Sequence, residues 1–197
     1  MAEWIMATSS IITALTVIIL WIELKSYHSS ERRKKAIELI QFWSTNLTAK
    51  QSAARNLTEK LSFEQSKCLF DKEPFSIDAK DKELVAGSLD KPYDIESLIK
   101  NDRIQLTVKE VTEIKVNVID FLNLLESILS AWRHNVADRD IIKEEFHFLV
   151  LPQEGHYLLE NFRKVAGVKA ACPAIESFFE FVLAEKRKTT KGKKALP

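Results

Sequence analysis

The stretch between Glu3 and Glu23 constrains the fold more than any other part of this 197-residue chain. It holds nineteen residues without a charge, from Trp4 to Ile22, and as a helix with a rise of about 1.5 Å per residue it spans about 28 Å. That length matches the hydrocarbon core of a bilayer. Trp4, Trp21 and Tyr27 stand near the two ends, where aromatic rings favour lipid headgroups. The sequence therefore predicts a single-pass transmembrane helix anchored by these three aromatic residues.

The charges on either side of this run predict its orientation. Only Glu3 precedes the run, whereas a basic cluster follows it, made of Arg32, Arg33, Lys34 and Lys35. Basic flanks stay in the cytoplasm. We therefore expect the N-terminus outside, the remainder of the chain in the cytoplasm, and the lipid bilayer as a partner.

Small residues inside the run offer a route to self-association. Ser9 and Thr13, and likewise Ser10 and Ala14, lie four positions apart, a spacing that lets a second helix approach closely. The alternative is a plain anchor whose hydroxyls bond back to their own helix. No ionisable group lies within the run, so a single copy offers no path for ions.

Composition predicts helices for the rest of the chain. Four glycines and five prolines are too few for a fold with many tight turns. We expect an all-α fold in which one N-terminal transmembrane helix precedes a cytoplasmic helical bundle. The expected divisions are a membrane anchor over 1–24, a long juxtamembrane helix over 25–69, a connector with short helices over 70–103, a bundle core over 104–184 and a basic disordered tail over 185–197.

The clearest helical pattern lies in the second half of the chain. Seven apolar residues are spaced alternately three and four apart: Val111, Ile114, Val118, Phe121, Leu125, Ile128 and Trp132. Leu122 and Leu129 widen this stripe, which favours a helix buried in a globular bundle. A two-stranded coiled coil is the alternative.

One short stretch combines side chains that can carry chemistry. His134, Asp138 and Asp140 bring an imidazole and two carboxylates close in sequence, as a metal site or a general base requires. The structural alternative treats Asp138 as a helix N-cap and His134 as a polar residue after a helix end. The chain has no phosphate loop and no nucleophile or zinc motif, and its two cysteines lie far apart. We therefore expect no catalytic residue, no metal and no cofactor.

A polar pair within the long helical stretch carries a family resemblance. Leu122, Asn123 and Glu126 form an LN-x-x-E core, and an acidic residue, Asp138, begins the next helix. Together with the N-terminal run, this pattern resembles the bacterial family called domain of unknown function 4760. The resemblance implies a bacterial inner-membrane protein and brings no activity with it. Asn123 and Glu126 could form a polar network that sets helix register, or a patch for a partner.

Three hypotheses about function follow from these patterns. The first is a non-enzymatic, membrane-anchored cytoplasmic domain that acts as a scaffold and binds a protein partner or itself. The second is an oligomeric membrane effector of the toxin or phage-defence type that permeabilises the bilayer. The third is a metal-dependent enzyme using His134, Asp138 and Asp140. Nucleic acid is not an expected partner, because no aromatic platform accompanies the basic tail, and no small-molecule substrate is identified.

Overall fold

The computed structural model describes residues 2–90, 95–151, 158–167 and 172–194, and their side chains from Leu15 to Lys188. It begins with one long helix, α1 (Ala2–Asn46). The helix is continuous because no glycine or proline interrupts this part of the sequence. The apolar run and the basic cluster therefore lie on one helix.

The prediction of a transmembrane anchor is wrong. Across the part of the chain that the structure describes, none of the helices combines the length and the apolar character that a bilayer crossing requires. The expected single-pass topology and inner-membrane location depended on that helix, and they are wrong as well.

Two capping boxes divide the region that the sequence predicts as one helix over 25–69. After α1 the chain forms α2 (Ala49–Glu59) and α3 (Phe63–Asp71). Thr48 and Ser62 are the N-caps, and each accepts a hydrogen bond from the backbone N–H three residues later. The glutamine at that third position bonds back to the N-cap backbone. These reciprocal bonds favour new helix starts over continuation.

The connector contains a small antiparallel sheet, so the expected all-α class is also wrong. Its strands are β1 (Phe75–Asp78), β2 (Ile99–Lys100) and β3 (Arg103–Leu106), in the order β1-β3-β2. Between β1 and β2 lie a 3-10 turn (Ala79–Asp81), α4 (Lys82–Gly87) and α5 (Ile95–Leu98). Asn101 and Asp102 have φ of 51° and 57°, which closes the tight β2–β3 hairpin.

The helix α6 (Val108–Arg133) forms the centre of the core. It packs against α2 and against the last helix of the chain. All seven residues of the predicted apolar stripe are buried, which confirms that interpretation. Thr107 caps the start of α6, and Glu110 accepts a hydrogen bond from the Thr107 backbone N–H at 2.9 Å. The stripe and the cap together fix where this helix begins and which face it buries.

The C-terminal part completes the bundle around α6. It contains α7 (Arg139–Phe146), a 3-10 turn (His147–Val150), α8 (Glu160–Ala166) and α9 (Pro173–Lys194). Proline at the first position of α9 is favourable, because that residue needs no helical N–H bond. The backbone is helical through Lys194, where the sequence predicts a disordered tail from residue 185. Residues 195–197 lie outside the described part.

Candidate interaction surface

The stretch of α1 from Leu15 to Tyr27 exposes an unusual amount of apolar surface. We call Leu15–Tyr27 the projecting segment. Its large apolar side chains are between 53% and 63% exposed, at Leu15, Val17, Ile18, Ile19, Leu20, Trp21, Ile22, Leu24 and Tyr27. Because many of these positions are consecutive, every face of the helix is apolar. Folded monomers rarely leave a contiguous apolar surface of this kind uncovered.

The C-terminal half of α1 is fixed to the core. Ala36 is buried, and the Trp43 ring meets Phe121 and Phe146 edge to face, with centroids 5.5 Å and 5.2 Å away. The Asp138 backbone N–H donates to the Arg32 carbonyl oxygen at 2.9 Å. These contacts join α1 to α6 and α7, so the projecting segment has a defined position at its base.

A cleft of about 670 Å³ lies where the projecting segment leaves the core, and we call it the corner cleft. One wall is a single face of α1, and the other is the turn between α6 and α7. The α1 face carries side chains spaced three or four apart: Trp21, Leu24, Lys25, His28, Glu31, Arg32 and Lys35. Asn135 and Val136 form the opposite wall. The cleft thus combines apolar and basic groups.

The predicted basic cluster divides between several environments. The Arg32 Nε donates to the His28 carbonyl oxygen at 3.3 Å, and Arg32 lines the corner cleft. The Arg33 Nε lies 3.7 Å from Asp138 Oδ2, and Lys35 Nζ lies 3.3 Å from Glu38 Oε2. Lys34 is exposed on α1. Exposed ion pairs of this kind contribute little stability. The four basic side chains contribute mainly to the electrostatic potential of the surface.

Of the aromatic and small residues predicted to matter in the apolar run, the structure describes the side chains of Trp21 and Tyr27. Trp21 and Tyr27 are exposed, and Lys25 Nζ lies 5.5 Å from the centroid of the Trp21 ring. The side chains of the remaining predicted residues lie outside the described part, namely Trp4, Ser9, Ser10, Thr13 and Ala14.

The cluster proposed for chemistry has structural contacts. Asp138 caps α7, because its Oδ1 accepts hydrogen bonds from the backbone N–H groups of Asp140 at 3.1 Å and Ile141 at 3.3 Å. His134 ends α6 and is exposed, and the Asp140 side chain is 93% exposed. Among the residues with described placement, no group of three or more histidine, cysteine, aspartate or glutamate side chains is positioned to hold a metal ion.

Glu126 bonds to the end of a neighbouring helix. Its two carboxylate oxygens accept hydrogen bonds from the backbone N–H groups of Ala174 and Ile175, each at 2.9 Å. These donors lie in the first turn of α9, where helix N–H groups lack internal partners. Asn123 is exposed, and its carbonyl oxygen accepts from the Ser127 hydroxyl at 2.8 Å. Glu126 therefore joins α6 to α9.

Two polar features of the α8–α9 region are not evident from sequence. Arg163 is 6% exposed, its Nη1 lies 2.6 Å from Glu176 Oε1, and its guanidinium carbon lies 4.7 Å from the Phe179 centroid. Burial lowers the pKa of Arg163, while Glu176 opposes that shift. Burial, reinforced by Glu126, raises the pKa of the Cys172 thiol. A thiol shifted in this direction is less nucleophilic at neutral pH, as a packing role for Cys172 requires.

The corner cleft is also missed by sequence analysis. The α1 wall could be predicted from the sequence, because Trp21, Lys25, His28, Arg32 and Lys35 repeat at helical spacing. The opposite wall is formed by Asn135 and Val136, which are at least a hundred residues away in sequence. Only the docking of α1 on the α6–α7 turn brings the two walls together.

Comparison with known proteins gives one match. The model of a family described as a domain of unknown function, DUF4760, matches residues 10–151. This range covers well over half of the chain and includes the LN-x-x-E core and Asp138. No curated protein and no solved structure matches the chain. The chain therefore belongs to the DUF4760 family, as the residues of its LN-x-x-E core predict.

Proposed function

We propose that the protein is a non-enzymatic interaction module whose copies associate through the projecting segment. The observation that carries this proposal is the exposure of large apolar side chains on every face of that helix. Burying them is favourable by about 25 cal/mol for each Å² removed from water. An interaction role requires no catalytic group, and His134, Asp138 and Asp140 have the contacts of helix ends.

A second copy of the same segment is the occupant that fits best. One partner groove covers one face of a helix, whereas this segment is apolar all round. Several copies lying side by side cover one another on more than one face, as in a helical bundle. The base of α1 is held by Trp43 and by the bond from Asp138 to Arg32, so each copy presents its segment in the same orientation. That uniform presentation supports a symmetric assembly.

The test is the mass of the full chain in a mild non-ionic detergent, which keeps the exposed segment in solution. Sedimentation velocity is measured for the parent chain and for Leu20→Asp, which introduces a charge into the projecting segment. The matched control is Val116→Asp, since Val116 is also exposed, at 51%, but lies on α6. We expect an oligomer for the parent chain and for the control, and a monomer for Leu20→Asp. A monomeric parent chain, or an oligomer that Leu20→Asp leaves intact, would contradict the proposal.

A further inference from the structure

The corner cleft continues the apolar surface of the projecting segment onto the core. Trp21 and Leu24 belong to both, because they lie within Leu15–Tyr27 and also line the cleft. On the opposite wall stands Val136, which is 53% exposed although it lies on a turn of the core. A partner that covers the projecting segment on this side therefore also reaches Val136.

The turn that carries Val136 is well defined. Asn135 has φ of 58°, and the Val136 N–H donates to the Ala131 carbonyl oxygen at 2.9 Å. This is the arrangement in which a left-handed residue ends a helix and satisfies its last carbonyl groups. The Asp138 N–H then bonds to the Arg32 carbonyl oxygen at 2.9 Å on the facing helix. The position of Val136 relative to α1 is therefore fixed before any partner binds, which lowers the entropic cost of binding.

The charged side chains of the cleft are opposed within the chain itself. Lys35 Nζ lies 3.3 Å from a carboxylate oxygen of Glu38, and Lys25 Nζ lies 5.5 Å from the centroid of the tryptophan ring in the projecting segment. Arg32 shares the cleft with the carboxylate of Glu31. Long charged side chains can lay their aliphatic stems along an apolar partner while their ends stay in water. An uncharged, apolar partner therefore fits this lining.

The size of the cleft suits a helix. An α-helix with its side chains is about 10 Å across, so a volume of about 670 Å³ holds about one and a half turns of helix. The projecting segment of a second copy has this shape, and it is apolar on every face. It can therefore enter the cleft without burying a charge of its own between Leu15 and Ile22.

We propose that the corner cleft of one copy receives the projecting segment of a second copy, so that Val136 forms part of the interface between copies. This inference rests on the proposed self-association and specifies the surface that the second copy contacts. Helices that are apolar all round can pack together at several rotations. Contact with Val136 selects among them, because the turn lies beside only one face of α1. The core thus takes part in deciding how the copies are arranged.

The first test measures the dissociation constant for self-association, by sedimentation velocity over a series of concentrations in the same mild non-ionic detergent. Val136→Asp should raise this constant about tenfold, because a carboxylate would be buried at the turn. Val136→Ser adds no charge and should raise it about threefold through the lost apolar contact. Far-UV circular dichroism and the midpoint of thermal unfolding check that each variant keeps the fold.

Two matched controls should change the dissociation constant less than about twofold. Val108→Asp makes the same substitution at a valine that is also 53% exposed, at the start of α6. His134→Asp places a carboxylate two positions from Val136, at an exposed residue outside the lining of the cleft. Together they separate a specific contact at Val136 from a general effect of added charge.

The second test measures proximity and does not depend on stability. Val136 is replaced by the photo-reactive residue benzoylphenylalanine in an unlabelled chain, which is mixed with isotope-labelled parent chain and irradiated. A cross-link between an unlabelled and a labelled peptide joins two different copies, so contacts of Val136 with its own α1 are excluded. We expect the labelled peptide to include residues of the projecting segment.

Failure of this proposal is distinguishable from failure of the proposed function. An oligomer that Leu20→Asp dissociates, but in which Val136→Asp behaves like Val108→Asp, would overturn the cleft proposal and leave self-association standing. Cross-links between copies that avoid the projecting segment would have the same meaning. A monomeric parent chain would overturn both proposals.

Discussion

The backbone N–H of Asp138 donates a hydrogen bond to the carbonyl oxygen of Arg32, 2.9 Å away, in the C-terminal half of α1. The same residue caps α7 with its side chain. Asp138 therefore performs two tasks, since its backbone holds α1 and its carboxylate starts α7. A residue that sequence analysis raises as a possible metal or acid–base group is placed where two helices meet.

Replacing Asp138 should destabilise the fold moderately. Asp138→Ala removes the N-cap acceptor and should lower the free energy of unfolding by about 1 kcal/mol. Asp138→Asn should retain most of that stability, because asparagine also caps helices. Urea unfolding followed by circular dichroism measures both. Asp140→Ala is the control, because that side chain is 93% exposed, and a loss as large as that of Asp138→Ala would argue against the capping role.

The link between Glu126 and α9 predicts a larger effect. Glu126→Ala removes an acceptor that serves two backbone N–H groups at 2.9 Å, and should cost about 1–3 kcal/mol. Glu126→Gln keeps one oxygen acceptor and should cost less. Asn123→Ala, at an exposed position on the same helix, should stay within about 0.5 kcal/mol. The same unfolding measurement applies, and equal losses for Glu126→Ala and Asn123→Ala would contradict the proposed link.

Glu110 makes stability depend on pH. Burial acts to raise the pKa of Glu110, but hydrogen bonds from the Thr107 side chain and from backbone groups outweigh it and hold the pKa below its ordinary value of 4.5. The charged form is thus favoured in the folded state. Its stabilisation is fully present above pH 4.5 and is lost as pH falls through the lowered folded-state pKa.

The comparison that checks this is the unfolding free energy of the parent chain minus that of Glu110→Gln, measured from pH 7 to pH 3. We expect the difference to be largest at neutral pH and to shrink on acidification. A difference that stays constant over this range would show that Glu110 stabilises α6 independently of its charge.

The buried ion pair between Arg163 and Glu176 predicts non-additive substitutions. Glu176→Gln leaves the buried guanidinium without its carboxylate partner and should cost about 3–5 kcal/mol. The double variant Arg163→Met/Glu176→Leu removes both charges and should be more stable than Glu176→Gln alone. A double-mutant cycle from chemical denaturation measures the coupling. Simple additivity of the single losses would indicate that the two side chains act independently.

The sequence predicts the buried face of α6 well, because its apolar spacing is regular over seven positions and all seven are buried. It also offers Asp138 as a helix N-cap, a local signal that the structure confirms. These features require only the residues of one helix and its end. They do not depend on which distant element packs nearby.

Other features depend on competition between local signals or on contacts between residues that are distant in sequence. The apolar positions of α1 continue into α2, and the Thr48–Gln51 capping box decides in favour of a break. The sheet is missed because its strands are short, although Ile104 and Leu106 alternate with polar residues after the Asn101–Asp102 turn. The corner cleft needs Val136 beside α1, which no local pattern supplies. The transmembrane prediction relied on the uncharged run, its aromatic ends and its basic flank, and none of the described helices is long and apolar enough to cross a membrane.

The uninterrupted course of α1 gives the molecule a fixed rotational phase. All 45 residues form one rod about 68 Å long, with neither glycine nor proline to act as a pivot. Each residue advances a helix by about 100°, so a single residue inserted between Tyr27 and Arg32 would swing the projecting segment around its own axis relative to the core. A contact that fixes the rotation of the projecting segment therefore also determines which side of the core faces neighbouring molecules.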